Sequence, residues 1–158
     1  MIYGRANEFI YFWCLGYVVI LTFAKERGDT RMSRSIFVDN GTHSSPIPSA
    51  SIVGNLLASS LISGRDPATV SYPPSFEAQC NFMFAGVKTV VEAAGGQLSD
   101  IVRITIWVED RGLRENINKA WTTLFPDANA RPARLTLNRT LEQGKLVECE
   151  ILAVISNG

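Results

Sequence analysis

A chain of 158 residues with 46% hydrophobic and 19% charged residues has the size and composition of one domain with a single core, which excludes a disordered protein and requires neither disulfides nor metal for folding. Its 15 Lys+Arg balance 15 Asp+Glu, so the charge of a nucleic-acid binder is missing and a small partner is expected rather than a polyanion. The lone histidine, His43, and the scattered cysteines Cys14, Cys80 and Cys149 offer little to a His-centred metal site, a Ser/His/Asp triad or a disulfide framework. No cofactor or metal is expected, and the cysteine usage suits a reducing, cytoplasmic compartment.

The first feature along the chain is Phe9 to Ala24, an almost unbroken apolar run between Glu8 and the charged Lys25, Glu26 and Arg27. A spanning helix needs about 20 apolar residues, and a signal peptide needs a basic start and a small-residue cleavage site, so neither pattern is complete. Residues 1–31 are therefore set apart as a hydrophobic N-terminal extension, and residues 32–158 as the domain proper. Met32 is expected to be the natural start; an anchor, with Lys25, Arg27 and Arg31 keeping the domain on the cytoplasmic side, a signal, and an extra packed helix are the other readings of the extension.

From Met32 the chain alternates strands and helices. Ser35 to Val38 is a short strand, and His43 to Ser49 is a loop because Pro46 and Pro48 fix extended backbone and remove donors. Gly54-Asn55 between two apolar runs predicts a hairpin joining Ala50–Val53 to Leu56–Ile62. Ser75 is an N-cap for a helix whose apolar face is Phe76, Cys80, Met83, Val87, Val90, Val91 and Ala94, stopped by Gly95-Gly96. Ile101 to Val108 alternates Val102, Ile104, Ile106 and Val108 against Arg103, Thr105 and Trp107, as a strand with one buried face does. Leu113, Ile117, Ala120, Trp121 and Leu124 mark a second helix ending before Pro126, and strands at Ala133–Asn138 and Lys145–Ser156 close the chain. This order suits an α+β fold, a mixed sheet with both helices on one face.

Two segments carry chemistry. Pro132 stiffens the backbone before Arg134, and a rigidly held guanidinium is a bidentate fork for a carboxylate; solvated surface charge is the other reading of Arg131, Arg134 and Arg139. Glu148 and Glu150 stand at i and i+2 on one face of the last strand, either as solvent-facing residues or with one of them handling protons. Cys149, between them, points to the other face and reads as a small buried residue, and His43 reads as a loop residue.

Gly54-Asn55-Leu56-Leu57 with Ser59-Ser60, Val91-Glu92-Ala93-Ala94-Gly95-Gly96 with Asp100-Ile101-Val102, Ile117-Asn118, Arg131-Pro132-Ala133-Arg134, and Val147 to Val154 stand in the order and spacing of a known family. Over Pro46 to Val154 the chain resembles the reactive imine/enamine deaminases, the Rid or YjgF-type family. The resemblance implies a chorismate-mutase-like fold assembled as a homotrimer, with ligand clefts between subunits. It implies that Arg134 holds the substrate carboxylate, that Glu148 is catalytic and positions the attacking water, and that Ser60 and Asn118 bind substrate in the same cleft. Ile47, in place of the family's tyrosine, and Leu61, in place of its glycine, mark a divergent branch near the 2-aminomuconate deaminases.

The implied activity is cofactor-independent hydrolysis of small enamine or imine acids, of the 2-aminoacrylate, 2-iminobutanoate or 2-aminomuconate type, to 2-oxo acid and ammonia. The alternative is a non-catalytic trimeric module of the same fold that binds a carboxylate metabolite or a protein. A ribonuclease, an activity attached to some relatives, is disfavoured by the zero net charge. No nucleic-acid partner is expected, and a membrane partner only if residues 9–24 act as an anchor.

Overall fold

The structure, a computed structural model of the full chain, describes residues 9–14, 17–22, 33–38 and 46–156. The chain divides into two compact units, Met1–Arg31 and Met32–Gly158. In the first, β1 (Phe9–Cys14) pairs antiparallel with β2 (Tyr17–Thr22), Phe9 opposite Thr22 and Cys14 opposite Tyr17. The extra packed helix offered for this run is corrected: by periodicity alone a short apolar run fits strand as well as helix, and here the backbone is extended. No helix among the described residues is long and apolar enough to cross a membrane. His43 lies outside the described residues.

The second unit is a seven-stranded mixed sheet with two long helices. Its strands are β3 (Ser33–Ile36), β4 (Ala50–Val53), β5 (Leu56–Ser59), β6 (Ile62–Ser63), β7 (Ile101–Val108), β8 (Ala133–Asn138) and β9 (Val147–Val154). They run in the order β3-β4-β5-β9-β7-β8, with β6 also on β9. Only β7 and β8 are parallel, and the helix α2 (Arg114–Leu124) makes the crossover between them. The other long helix, α1 (Phe76–Ala93), begins where Ser75 Oγ accepts the Ala78 amide at 3.3 Å, as an N-cap does. It ends at Gly95, whose φ of +87° is the left-handed conformation a helix stop requires. Arg34 on β3 adds a C-terminal cap, donating Nη2 to the Ala94 carbonyl at 2.8 Å.

The core lies between helices and sheet. Ile104, Ile106 and Val108 of β7 and Cys149, Ile151 and Ala153 of β9 are buried with Met83, Val87, Val90 and Val91 of α1 and Ile117 and Trp121 of α2. Each large side chain of this set contributes about 1.5–3 kcal/mol by leaving water.

Two strand readings need correction. Val102 is 49% exposed and Ile101 is buried instead, because a register shift between Ile101 and Arg103 places an extra residue opposite β9 and turns the strand by one position. The predicted strand Leu56–Ile62 is broken after Ser59: Ala58 faces Leu152 and Ile62 faces Cys149, which leaves one more residue on this side than on β9. The Ser59 hydroxyl takes the orphaned Ile151 amide at 2.9 Å. The hairpin itself is as expected, with Gly54 at φ +62° in the first turn position.

One polar residue is sealed into this core. Gln79 on α1 is fully buried; Nε2 donates to the carbonyls of Pro73 (2.7 Å) and Gly144 (2.9 Å), and Oε1 accepts the Leu146 amide (2.9 Å). Gly64 makes room for it, since a Cβ there would lie 2.4 Å from the Gln79 carbonyl oxygen. Gln79→Leu is expected to destabilise the domain by about 3 kcal/mol, because three partly buried backbone hydrogen bonds to one fully buried amide are lost together. Urea denaturation measures it; an unchanged midpoint would show that water replaces the amide.

Candidate functional site

Of the residues singled out from the sequence, Arg134 with Asn118 and, separately, Glu148 form two clusters on opposite faces of the sheet. Arg134 leaves β8 on the helix side, where its strand partner is the buried Ile104. Its guanidinium lies 4.9 Å from the Trp121 ring centre, and Nη2 donates to Asn118 Oδ1 at 2.7 Å. Arg114, Asn118 and Trp121 meet here because residues three and four apart share one face of α2. A pocket of about 160 Å³ next along β8 is lined by Val108, Arg114, Ile117 and Thr136.

Burial first, and then the charge of Arg114, pull the Arg134 guanidinium below its ordinary value. Such a group still remains a cation at neutral pH. It forms no ion pair among the described residues, and its Nη1 is buried with no hydrogen-bond partner. A buried donor aimed at nothing is uncommon and points to an acceptor from outside the chain. Arg131, by contrast, is spent on its own loop, donating Nε to the Phe125 carbonyl at 2.8 Å.

Glu148 occupies the other face, opposite Trp107 and Ser63. It is 2% exposed and carries two cations: Arg139 Nη1 reaches Oε1 at 3.2 Å, and Lys145 Nζ reaches Oε2 at 3.4 Å. A cavity of about 150 Å³ beside it is lined by Arg139, Thr140, Leu141, Glu142 and Lys145. Ser63 Oγ and Tyr72 Oη are 3.1 Å apart on the other side of Glu148's strand position. Glu150, half-buried opposite Thr105, has no ion pair among the described residues.

Arg134 and Glu148 are thus not on neighbouring strands, as their order in the sequence suggests. β7 lies between β8 and β9, and the pleat sends the two side chains to different faces. Ser60 joins neither cluster by hydrogen bond; its hydroxyl donates to the Pro48 carbonyl at 2.7 Å and so holds the loop containing Ile47. Cys149 is buried, as expected, and burial pushes its thiol up; burial likewise raises Cys80, to about 12. Neither is fit to be a nucleophile. Among the described residues no group of three or more His, Cys, Asp or Glu is placed to hold a metal ion.

Sequence reasoning missed Arg114 and Trp121 beside Arg134, and Lys145 beside Glu148. The helical spacing of Arg114, Asn118 and Trp121 was a usable signal. For Lys145 the signal was an acid within an apolar strand, which demands a cation.

Known proteins resemble most of the second unit in sequence and fold. The family model described as "Endoribonuclease L-PSP" matches residues 46–155. A 2-iminobutanoate/2-iminopropanoate deaminase of Escherichia coli is 30% identical over 126 residues, which cover 78% of this chain and 98% of the relative. A RutC family protein of Aquifex aeolicus is 32% identical over 92 residues, 58% of this chain and 74% of its own. Among solved structures, RidA from an Antarctic Psychrobacter superposes with a TM-score of 0.71 at 28% identity, covering 77% of this chain and 99% of that one. The YjgF product of E. coli gives 0.70 at 29% identity, covering 77% and 98%. With the mixed sheet, the two helices and the matched segments all in agreement, the chain belongs to the RidA/YjgF family.

Proposed function

We propose that the protein hydrolyses small imine and enamine acids to 2-oxo acids and ammonia, in clefts completed by two copies of the chain. The observation that carries this reading is the buried, unpartnered Nη1 of Arg134, a free donor beside a second one already oriented by Asn118. A substrate carboxylate would accept from that fork, with Trp121 as its floor. The enamine tautomerises to the imine, water adds to the imine carbon, and the resulting carbinolamine expels ammonia as its C–N bond breaks. Glu148 orients that water and takes part in its proton transfers.

Since Arg134 and Glu148 point away from each other within one chain, Glu148 of a neighbouring copy must face Arg134. The open face of the sheet supports such an assembly. Leu56, Val102, Leu135 and Val154 stand 40% to 49% exposed on or near it, an apolar surface of the kind that another subunit covers. We assign a homotrimer on this ground and on the family's habit. Ile47 is 45% exposed and Leu61 is partly so; on the family resemblance the two would stand in the cleft wall and bear on which side chains fit.

The test generates imino acids in situ with an amino acid oxidase and follows their loss with and without the protein. Faster loss, with ammonia released in equal amount, is expected. Carboxylate binding without any acceleration would replace this reading with the non-catalytic module.

A further inference from the structure

The loop joining β8 to β9 does more than turn the chain. Its first residue, Arg139, continues β8 by donating its amide to the Val108 carbonyl at 3.0 Å, and Leu141 is tied by its amide to Glu109 Oε1 at 3.0 Å. Its far end turns through Gln143 and Gly144, at φ +62° and +80°, and is locked from beneath by Gln79. The two hydrogen bonds that Gln79 makes to this loop fall on Gly144 and Leu146, one on each side of Lys145. A fully buried amide thus fixes the backbone that bears the lysine. Arg139 and Lys145 then close on Glu148 from separate points of the loop, one on each carboxylate oxygen.

A glutamate held by one partner can still turn about its terminal bond, which has a broad rotational profile. With a separate cation on each oxygen, the plane of the carboxylate is fixed. On the reading that Glu148 orients the attacking water, we infer that Arg139 and Lys145 are positioning residues: their clamp sets the carboxylate plane and, through it, the place of the water. Neither cation has to touch substrate. Reacting atoms must be placed closely, and a displacement of about 1 Å lowers a rate on the order of 100-fold.

The experiment uses the full chain with Arg139→Met and Lys145→Met, which keep the stem and remove the charge at partly exposed side chains. With 2-iminobutanoate generated in situ, each is expected to lower kcat about tenfold or more while KM moves less than about threefold, because the Arg134 end of the cleft is untouched. Lys145→Arg should restore most of the rate. In a Glu148→Gln background neither substitution should lower the residual rate further, which a general loss of fold would do. An unchanged kcat overturns the positioning role, as does a rise in KM at constant kcat, which would make these cations substrate ligands. A wild type inert toward every imino acid overturns the reaction reading and the positioning role together, whereas an active wild type with a fully active Lys145→Met overturns the positioning role alone.

Discussion

Arg134→Ala is expected to abolish imino-acid turnover while the domain stays folded. The guanidinium holds no carboxylate of its own chain among the described residues, so its removal leaves no buried anion behind. What the fold loses is one hydrogen bond to Asn118 and one face contact with Trp121, together about 1–2 kcal/mol. Part of that is offset, since the orphaned Nη1 also disappears. What the cleft loses is its charge-assisted fork for the substrate carboxylate, about 2–5 kcal/mol of binding. A thermal melt within a few degrees of wild type, with kcat/KM too low to measure, is the expected pair of results. Near-normal turnover would show that the carboxylate is held elsewhere, with Arg114 the first residue to examine. Arg134→Lys should recover only part of the activity, because an ammonium offers a point charge where a planar fork is required.

The contrast between what periodicity reveals and what it hides is clearest on β7 and β9. The helix faces and the Gly54 hairpin follow from local rules, and the Ser75 cap and the Gly95 stop stand where turn chemistry puts them. A bulge is not written in alternation: Val102 is as apolar as Ile101, so nothing local says which one faces water. Strand order is equally invisible, because it is decided by a crossover through α2 that inserts β7 between β8 and β9. Arg134 and Glu148 were therefore recognisable as a pair of chemical types through family resemblance, and their separation across the sheet was not. The N-terminal run shows the same limit, since two short apolar stretches broken by Gly16 serve a hairpin as well as a helix. Buried polar residues were the hardest to read. Gln79 sits in a helix face that is otherwise apolar, and only its partners Pro73, Gly144 and Leu146 explain it.

Glu148→Gln should reduce the rate far more than Glu150→Gln, although the two acids share one face of one strand. Glu148 is enclosed and doubly paired, whereas Glu150 is half-buried without an ion pair among the described residues. The amide that replaces the Glu148 carboxylate keeps its shape but loses the negative charge that orders water and accepts protons, so a loss of about 100-fold or more in kcat is expected. Binding through Arg134 should persist, because the substitution leaves the carboxylate fork of the neighbouring copy unchanged. Equal losses at the two positions would place the working carboxylate elsewhere on the strand. The same pair of variants, Glu148→Gln and Arg134→Ala, also tests the shared cleft. If each site takes Arg134 from one copy and Glu148 from the next, an Arg134→Ala chain and a Glu148→Gln chain are each inactive alone but complementary together. In a randomly mixed ring of three, a trimer holding both kinds has one cleft with both groups intact, so about a quarter of all clefts should regain activity. Co-expression under two affinity tags, or mixing after mild denaturation and refolding, supplies such rings. No recovery in tagged hetero-oligomers would mean that the two groups do not serve one cleft, and the assignment of Glu148 to the neighbouring copy's substrate would fall with it.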